Sequence, residues 1–270
     1  MSTSGRWAEL IGGPFRAAWR SGLAWAVTFA FFIVATVAFW PVFKGSAALN
    51  DALKVLPSAM LEAFGLQDFA SPAGYLRGGL YDVLIPLMFA AAGAMFANSA
   101  TAAEEDAGRL ELYVAQPVTR MAVMTGRAIS TALWLAVLVV VVLISQILSD
   151  VLFDLQIATD LIVATIVLCG LLGLLFSGLA ILLAGLFARP GIVLGVTLGV
   201  AFVGYVVAAL FPISDLLKPW AVISPWDWAF AGDPLVNPTE LWRYAALTLP
   251  ALVLFAAGIF MFDRRDIRSA

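Results

Sequence analysis

Six stretches of this chain carry no charged residue, and each is long enough to cross a lipid bilayer: 21–43, 83–103, 128–149, 161–188, 190–214 and 244–262. A spanning helix needs roughly 20 apolar residues, since lipid offers its backbone no hydrogen-bond partner. The windows take up about half of the 270 residues, which leaves no room for a large soluble domain. Composition agrees, with 63% hydrophobic and 12% charged residues where an ordinary soluble domain has roughly 45–50% and 25%. The expected fold is therefore an all-α membrane protein of six transmembrane helices. The spans are expected at approximately 21–43, 79–98, 120–149, 161–188, 190–212 and 241–262.

Several chemistries are excluded at once. The chain has no histidine and one cysteine, Cys169, so Ser/His and Cys/His catalysis and the usual zinc, haem and iron–sulfur sites have no ligands or bases to use. Cys169 reads as a packed apolar residue. No G-x-x-x-x-G-K-[ST] phosphate loop occurs, so any ATP and Mg would sit on another subunit. No catalytic, cofactor or metal residue is expected in this chain, and nothing points to nucleic acid.

An even number of spans puts both termini on one side. That side holds Arg6, Arg16, Arg20, Arg109, Arg120, Arg127, Arg189, Arg264, Arg265 and Arg268, against Lys44, Lys54, Arg77, Lys218 and Arg243 on the other. The excess of basic residues marks it as cytoplasmic. The first span has no clear cleavage site and reads as a retained anchor. Before it, Trp7, Leu10, Ile11, Pro14, Phe15, Ala18 and Trp19 share one helical face while Arg6, Glu9, Arg16 and Arg20 share the other, as in an interfacial amphipathic helix over residues 1–20. Such a helix either anchors the chain or also braces a cytoplasmic partner, and Gly12, Gly13 and Pro14 are placed to break it in two.

On the other side, residues 57–65 are expected to form a helix. In the segment 212–243, Ser224-Pro225-Trp226-Asp227 and Asn237-Pro238-Thr239-Glu240 both have the form of helix starts. With Trp220, Trp226, Trp228 and Trp242, this segment is either an aromatic belt at headgroup depth or a piece that dips into the membrane. Asp82 and Arg127 are expected at span ends within reach of water. Buried carboxylate relays are otherwise missing from the spans, which argues against a proton-coupled carrier. Pro86 and Pro250 are expected to kink the second and sixth spans. Gly191, Gly195 and Gly199 form a small-residue stripe on the fifth, and Ala90 to Ala94 a cluster on the second; either face could serve packing within the chain, a subunit interface or a moving pathway wall.

The most informative stretch lies between spans two and three. Asn98 can end the second span. Thr101 and Glu104 have the spacing of a capping box, and Glu104, Glu105 and Asp106 suit the positive end of a new helix. Pro117 stops that helix near Gln116, and Thr119 is a natural N-cap for a third span beginning at Arg120. A short helix held between two breaks moves as one piece with the spans that it joins.

Glu104-Glu105, Gly108, Leu110-Glu111, Gln116-Pro117-Val118 and Thr119-Arg120 together resemble the signature that precedes the third span in type-2 ABC transporter permeases. Leu56-Pro57, Phe64-Gly65 and Ser71-Pro72-Ala73-Gly74-Tyr75-Leu76 resemble the first outside loop of the same family, and Phe262-Asp263-Arg264-Arg265-Asp266-Ile267 its tail. Arg109 stands where many members place Thr. The resemblance implies a six-span permease domain over 21–270, the membrane subunit of an ABC exporter in the inner membrane; a pathway through such apolar spans would suit a hydrophobic or amphipathic substrate. It also implies two cytoplasmic ABC ATPase subunits and a second permease chain, most simply another copy of this one, with a heterodimer as the other arrangement. Residues Glu104, Glu105, Gly108, Arg109, Leu110, Glu111, Pro117 and Arg120 would then form the ATPase-coupling site. The competing reading is a membrane scaffold or sensor that binds a cytoplasmic regulatory protein through the same segment.

Overall fold

The computed structural model describes residues 3–44, 55, 71–108 and 118–265. These are helical almost throughout, without a strand among them. Helix α1 covers Thr3–Ala17, α2 Trp19–Ala38 and α3 Trp40–Phe43. Then follow α4 (Pro72–Leu76), a π-helical turn (Arg77–Tyr81), α5 (Leu84–Ala100) and α6 (Ala102–Asp106). The remaining helices are α7 (Arg120–Phe153), α8 (Thr159–Leu186), α9 (Pro190–Leu210), α10 (Pro225–Phe230) and α11 (Leu241–Arg264). Six helices are long and apolar enough to cross a membrane, so the chain is a multi-pass membrane protein. The expected helix at 57–65 lies outside the described residues.

Helix α8 is apolar on every face because it is the hub. Two thirds of its most apolar window is buried, 67% against 17% for α9, and it packs against α5, α7 and α11. Glycines permit the close approach. A Cβ on Gly93 of α5 would lie 2.6 Å from the Gly173 carbonyl oxygen, and one on Gly173 would lie 2.8 Å from that of Phe89. On the other side, a Cβ on Gly178 would lie 2.9 Å from the Ala251 oxygen, and one on Gly258 would lie 2.7 Å from the Ile181 backbone. Backbone meets backbone here, and dispersion contacts over that close surface hold the helices together where lipid supplies no hydrophobic drive. Cys169 is buried and free in the same helix.

Several sequence expectations need correction. α1 runs unbroken through Gly12, Gly13 and Pro14; the break falls at Ala18, whose backbone leaves helical geometry before α2. The amphipathic helix also docks against α7: Phe15 stacks on Trp134 at 4.6 Å between ring centres, and Trp134 donates its indole N–H to the Phe15 carbonyl at 3.0 Å. Pro86 does not kink a continuous span. It lies in the first turn of α5, where a missing N–H costs nothing, and the interruption is the π turn just before it. Asn98 is inside α5, which continues to Ala100. Pro250 does lie inside the sixth span as expected, with α11 helical on both sides of it.

Ser224 starts α10 as expected, accepting the Trp226 N–H at 3.1 Å. Its own hydroxyl donates to the Gly204 carbonyl at 2.6 Å, tying the segment onto the end of α9. Asn237-Pro238 starts no helix; α11 begins at Leu241, and the Asn237 amide donates to the Gly232 carbonyl instead. The tryptophans divide, with Trp226 buried against Phe176 and Tyr205 while Trp220 and Trp242 stay exposed.

Candidate functional site

The short helix α6 and the turn after it sit at the end of the bundle that carries residues 3 and 265. Adjacent positions on a helix point about 100° apart, so Glu104 and Glu105 reach different neighbours. Glu104 pairs with Arg127 of α7 at 2.7 Å, and Glu105 pairs with Arg265, just past α11, at 2.5 Å. Arg127 donates as well to the Ala100 carbonyl at the end of α5. Arg120, the first residue of α7, donates to the Arg265 carbonyl at 2.8 Å, and the Arg265 guanidinium lies 5.7 Å from the centre of the Phe262 ring. The ends of the second, third and sixth spans are thus joined through one five-residue helix.

These pairs are not surface decoration. Arg127 is 1% exposed and Glu105 9%, so each charge depends on its partner for compensation in a medium where an unpaired ion is costly. The expectation that Arg127 stays within reach of water is overturned. So is the capping box: Thr101 makes no cap to α6. Its hydroxyl donates back to the Ala97 carbonyl at 2.6 Å, and the carboxylate of Glu104 is held by Arg127 instead of reaching back to Thr101. Gly108 adopts φ +69°, a left-handed geometry that glycine takes without strain, and its N–H closes the turn on the Glu105 carbonyl at 2.9 Å. Thr119 caps α7 as expected, accepting the Ala122 N–H at 3.2 Å.

Of the sequence-derived coupling residues, the structure therefore brings Glu104, Glu105, Gly108 and Arg120 to one place. Arg109, Leu110, Glu111 and Pro117 lie outside the described residues. Arg127 and Arg265, which complete the clasp, were visible in sequence only as charges near span ends. Gly191, Gly195 and Gly199 are elsewhere: all three are exposed on α9, and a Cβ on any of them would meet nothing within 4 Å among the described residues. They do not pack against the described residues, to which α9 turns Val193, Thr197 and Ala201 instead.

A second polar group lies at the opposite end of the bundle. There the π turn carries Arg77, which pairs with Asp233 at 2.6 Å and Asp82 at 3.5 Å. Deeper, Tyr81 donates to Gln146 of α7 at 2.9 Å, a buried bond between the second and third spans. Sequence reasoning passed over Gln146 because an uncharged amide leaves no gap in an apolar window. Among the described residues, no group of three or more His, Cys, Asp or Glu side chains is placed to hold a metal ion.

A model of the ABC-2 family transporter proteins matches residues 12–267. No curated protein matches the chain.

Proposed function

The chain belongs to the ABC-2 transporter family, and from that premise we propose that it is the membrane permease subunit of an ATP-driven exporter of hydrophobic or amphipathic compounds. The observation that carries the proposal is the clasp at α6. A cytoplasmic ATPase pressing on the segment 101–117 would push on a piece bonded to α7 through Arg127 and to the end of α11 through Arg265, so one local displacement reaches three spans. The permease itself holds no nucleotide; ATP and Mg bind on two partner ATPase subunits. A second permease chain completes the assembly, and the open glycine face of α9 suits that contact because small residues let helices approach closely.

The test is purification from the native membrane followed by transport in vesicles. A phosphate-loop ATPase should co-purify, and Leu110→Asp should lower its association and nucleotide-dependent export while the permease still inserts. Stoichiometric purification without such an ATPase would favour the scaffold reading.

Both termini are assigned to the cytoplasm of the inner membrane on the basic-residue count. Single cysteines at Ala59 and Val236 should react with an impermeant thiol reagent in intact cells, and one at Ala107 only after permeabilisation. The reverse pattern would invert the orientation.

A further inference from the structure

A cavity of about 520 Å³ opens between the π turn, the end of α9 and α10, at the end of the bundle that the assignment above places outside. Its origin is in the π turn. Residues five apart in an α-helix point ~140° away from each other, but the wider π turn, closed by the Asp82 N–H on the Arg77 carbonyl at 2.9 Å, brings Arg77 and Asp82 to the same side, where they pair. Both line the cavity with Asp227 and Asp233. Tyr205 and Trp226, with ring centres 6.4 Å apart, supply an aromatic wall.

The charges do not balance. Three carboxylates, Asp82, Asp227 and Asp233, line the cavity with the cations Arg77 and Lys218. Arg77 is already shared between two of the three, and Lys218 is exposed. Asp227 has its carboxyl pushed above the usual range by burial, with Arg243 opposing only in part. A cavity of this size suits a drug-sized molecule. An excess of carboxylate in low-dielectric walls attracts cations, and the aromatic faces add to that attraction.

We propose that this cavity is a binding site for an organic cation with a hydrophobic body, its charge held by Asp227 and Asp233 and its body against Tyr205 and Trp226. As a substrate site it rests on the exporter reading, but binding itself can be measured without any ATPase. The same chemistry is offered by a soluble lipophilic amine and by the ammonium of a lipid headgroup.

The test uses the purified full chain in neutral maltoside micelles, titrated with tetraphenylphosphonium and, separately, with tetraphenylborate, which has nearly the same size and shape but the opposite charge. The cation should bind saturably and at least about tenfold more tightly than the anion. Asp227→Asn should weaken cation binding by about fivefold or more, and Tyr205→Leu should also weaken it. Phosphatidylethanolamine that displaces the probe assigns the site to a lipid amine, and failure to displace assigns it to a soluble cation. Equal affinity for the two ions, or unchanged cation binding in both variants, overturns the proposal and leaves the exporter reading standing. Cation binding by a chain whose purification from the native membrane brings down no phosphate-loop ATPase would overturn only the latter.

Discussion

Gly258→Leu is expected to leave little or no folded protein in the membrane. A single Cβ at this position would already lie 2.7 Å from the backbone of Ile181 and Leu182 in α8, and backbone has no rotamer through which to move aside. The two helices would have to separate along the tightest seam of the hub, which costs more than the ~1–3 kcal/mol of ordinary overpacking. Gly195→Leu provides the contrast. A Cβ on Gly195 would meet nothing within 4 Å among the described residues, so the monomer should fold with unchanged thermal stability, and any loss should appear in dimer yield alone. The check is the midpoint of thermal unfolding in detergent together with size-exclusion chromatography. A stable, monodisperse Gly258→Leu protein would mean that α8 and α11 are not packed as described. An unchanged dimer with Gly195→Leu and Gly199→Leu together would remove the interface role proposed for the α9 face.

Glu104→Ala should be nearly as damaging, for an electrostatic reason. If Glu104 were only a helix cap and a dipole-matched charge, its loss would cost about 1 kcal/mol. In the structure its carboxylate compensates Arg127, which is 1% exposed, and removing one partner of a buried pair costs about 3–5 kcal/mol. Replacing both partners, Glu104→Ala with Arg127→Met, removes both charges of the pair and should recover most of the lost stability, although the Ala100 carbonyl loses its donor. Denaturant unfolding of the two single variants and the double variant in micelles measures this directly. Additive losses in the double variant would show that the pair is not coupled. If stability recovers, the same double variant also tests function cleanly, since nucleotide-dependent export should stay impaired once the link between α6 and α7 is gone.

The six spans were legible in the sequence because membrane insertion sorts residues by hydropathy, and an apolar, charge-free run of roughly 20 residues is long enough to cross a bilayer as a helix. Cap chemistry was legible at Thr119 and Ser224 for a similar reason: the bonding partner lies within three residues, on the chain itself. Thr101 and Asn237-Pro238 have the same local signature and failed. Thr101, at φ −127° and ψ −92°, donates back to the Ala97 carbonyl, and Asn237 donates to Gly232, so each side chain bonds to backbone before it in the chain instead of capping a helix after it.

What the sequence by itself determined, then, is the number of crossings, the amphipathic first helix and the place of the segment between spans two and three. Only the tertiary structure decided which glycines are seams and which are free surface. The regular stripe at Gly191, Gly195 and Gly199 meets none of the described residues, while the less regular Gly173, Gly178 and Gly258 meet backbone. Only the tertiary structure, too, paired Glu104 with Arg127 across 23 residues and Glu105 with Arg265 across 160. The reason is physical: helical periodicity and lipid solubility act within one segment and can be read along the chain, whereas close backbone approach and the compensation of a buried charge depend on which segments become neighbours, and that is settled only when the helices pack.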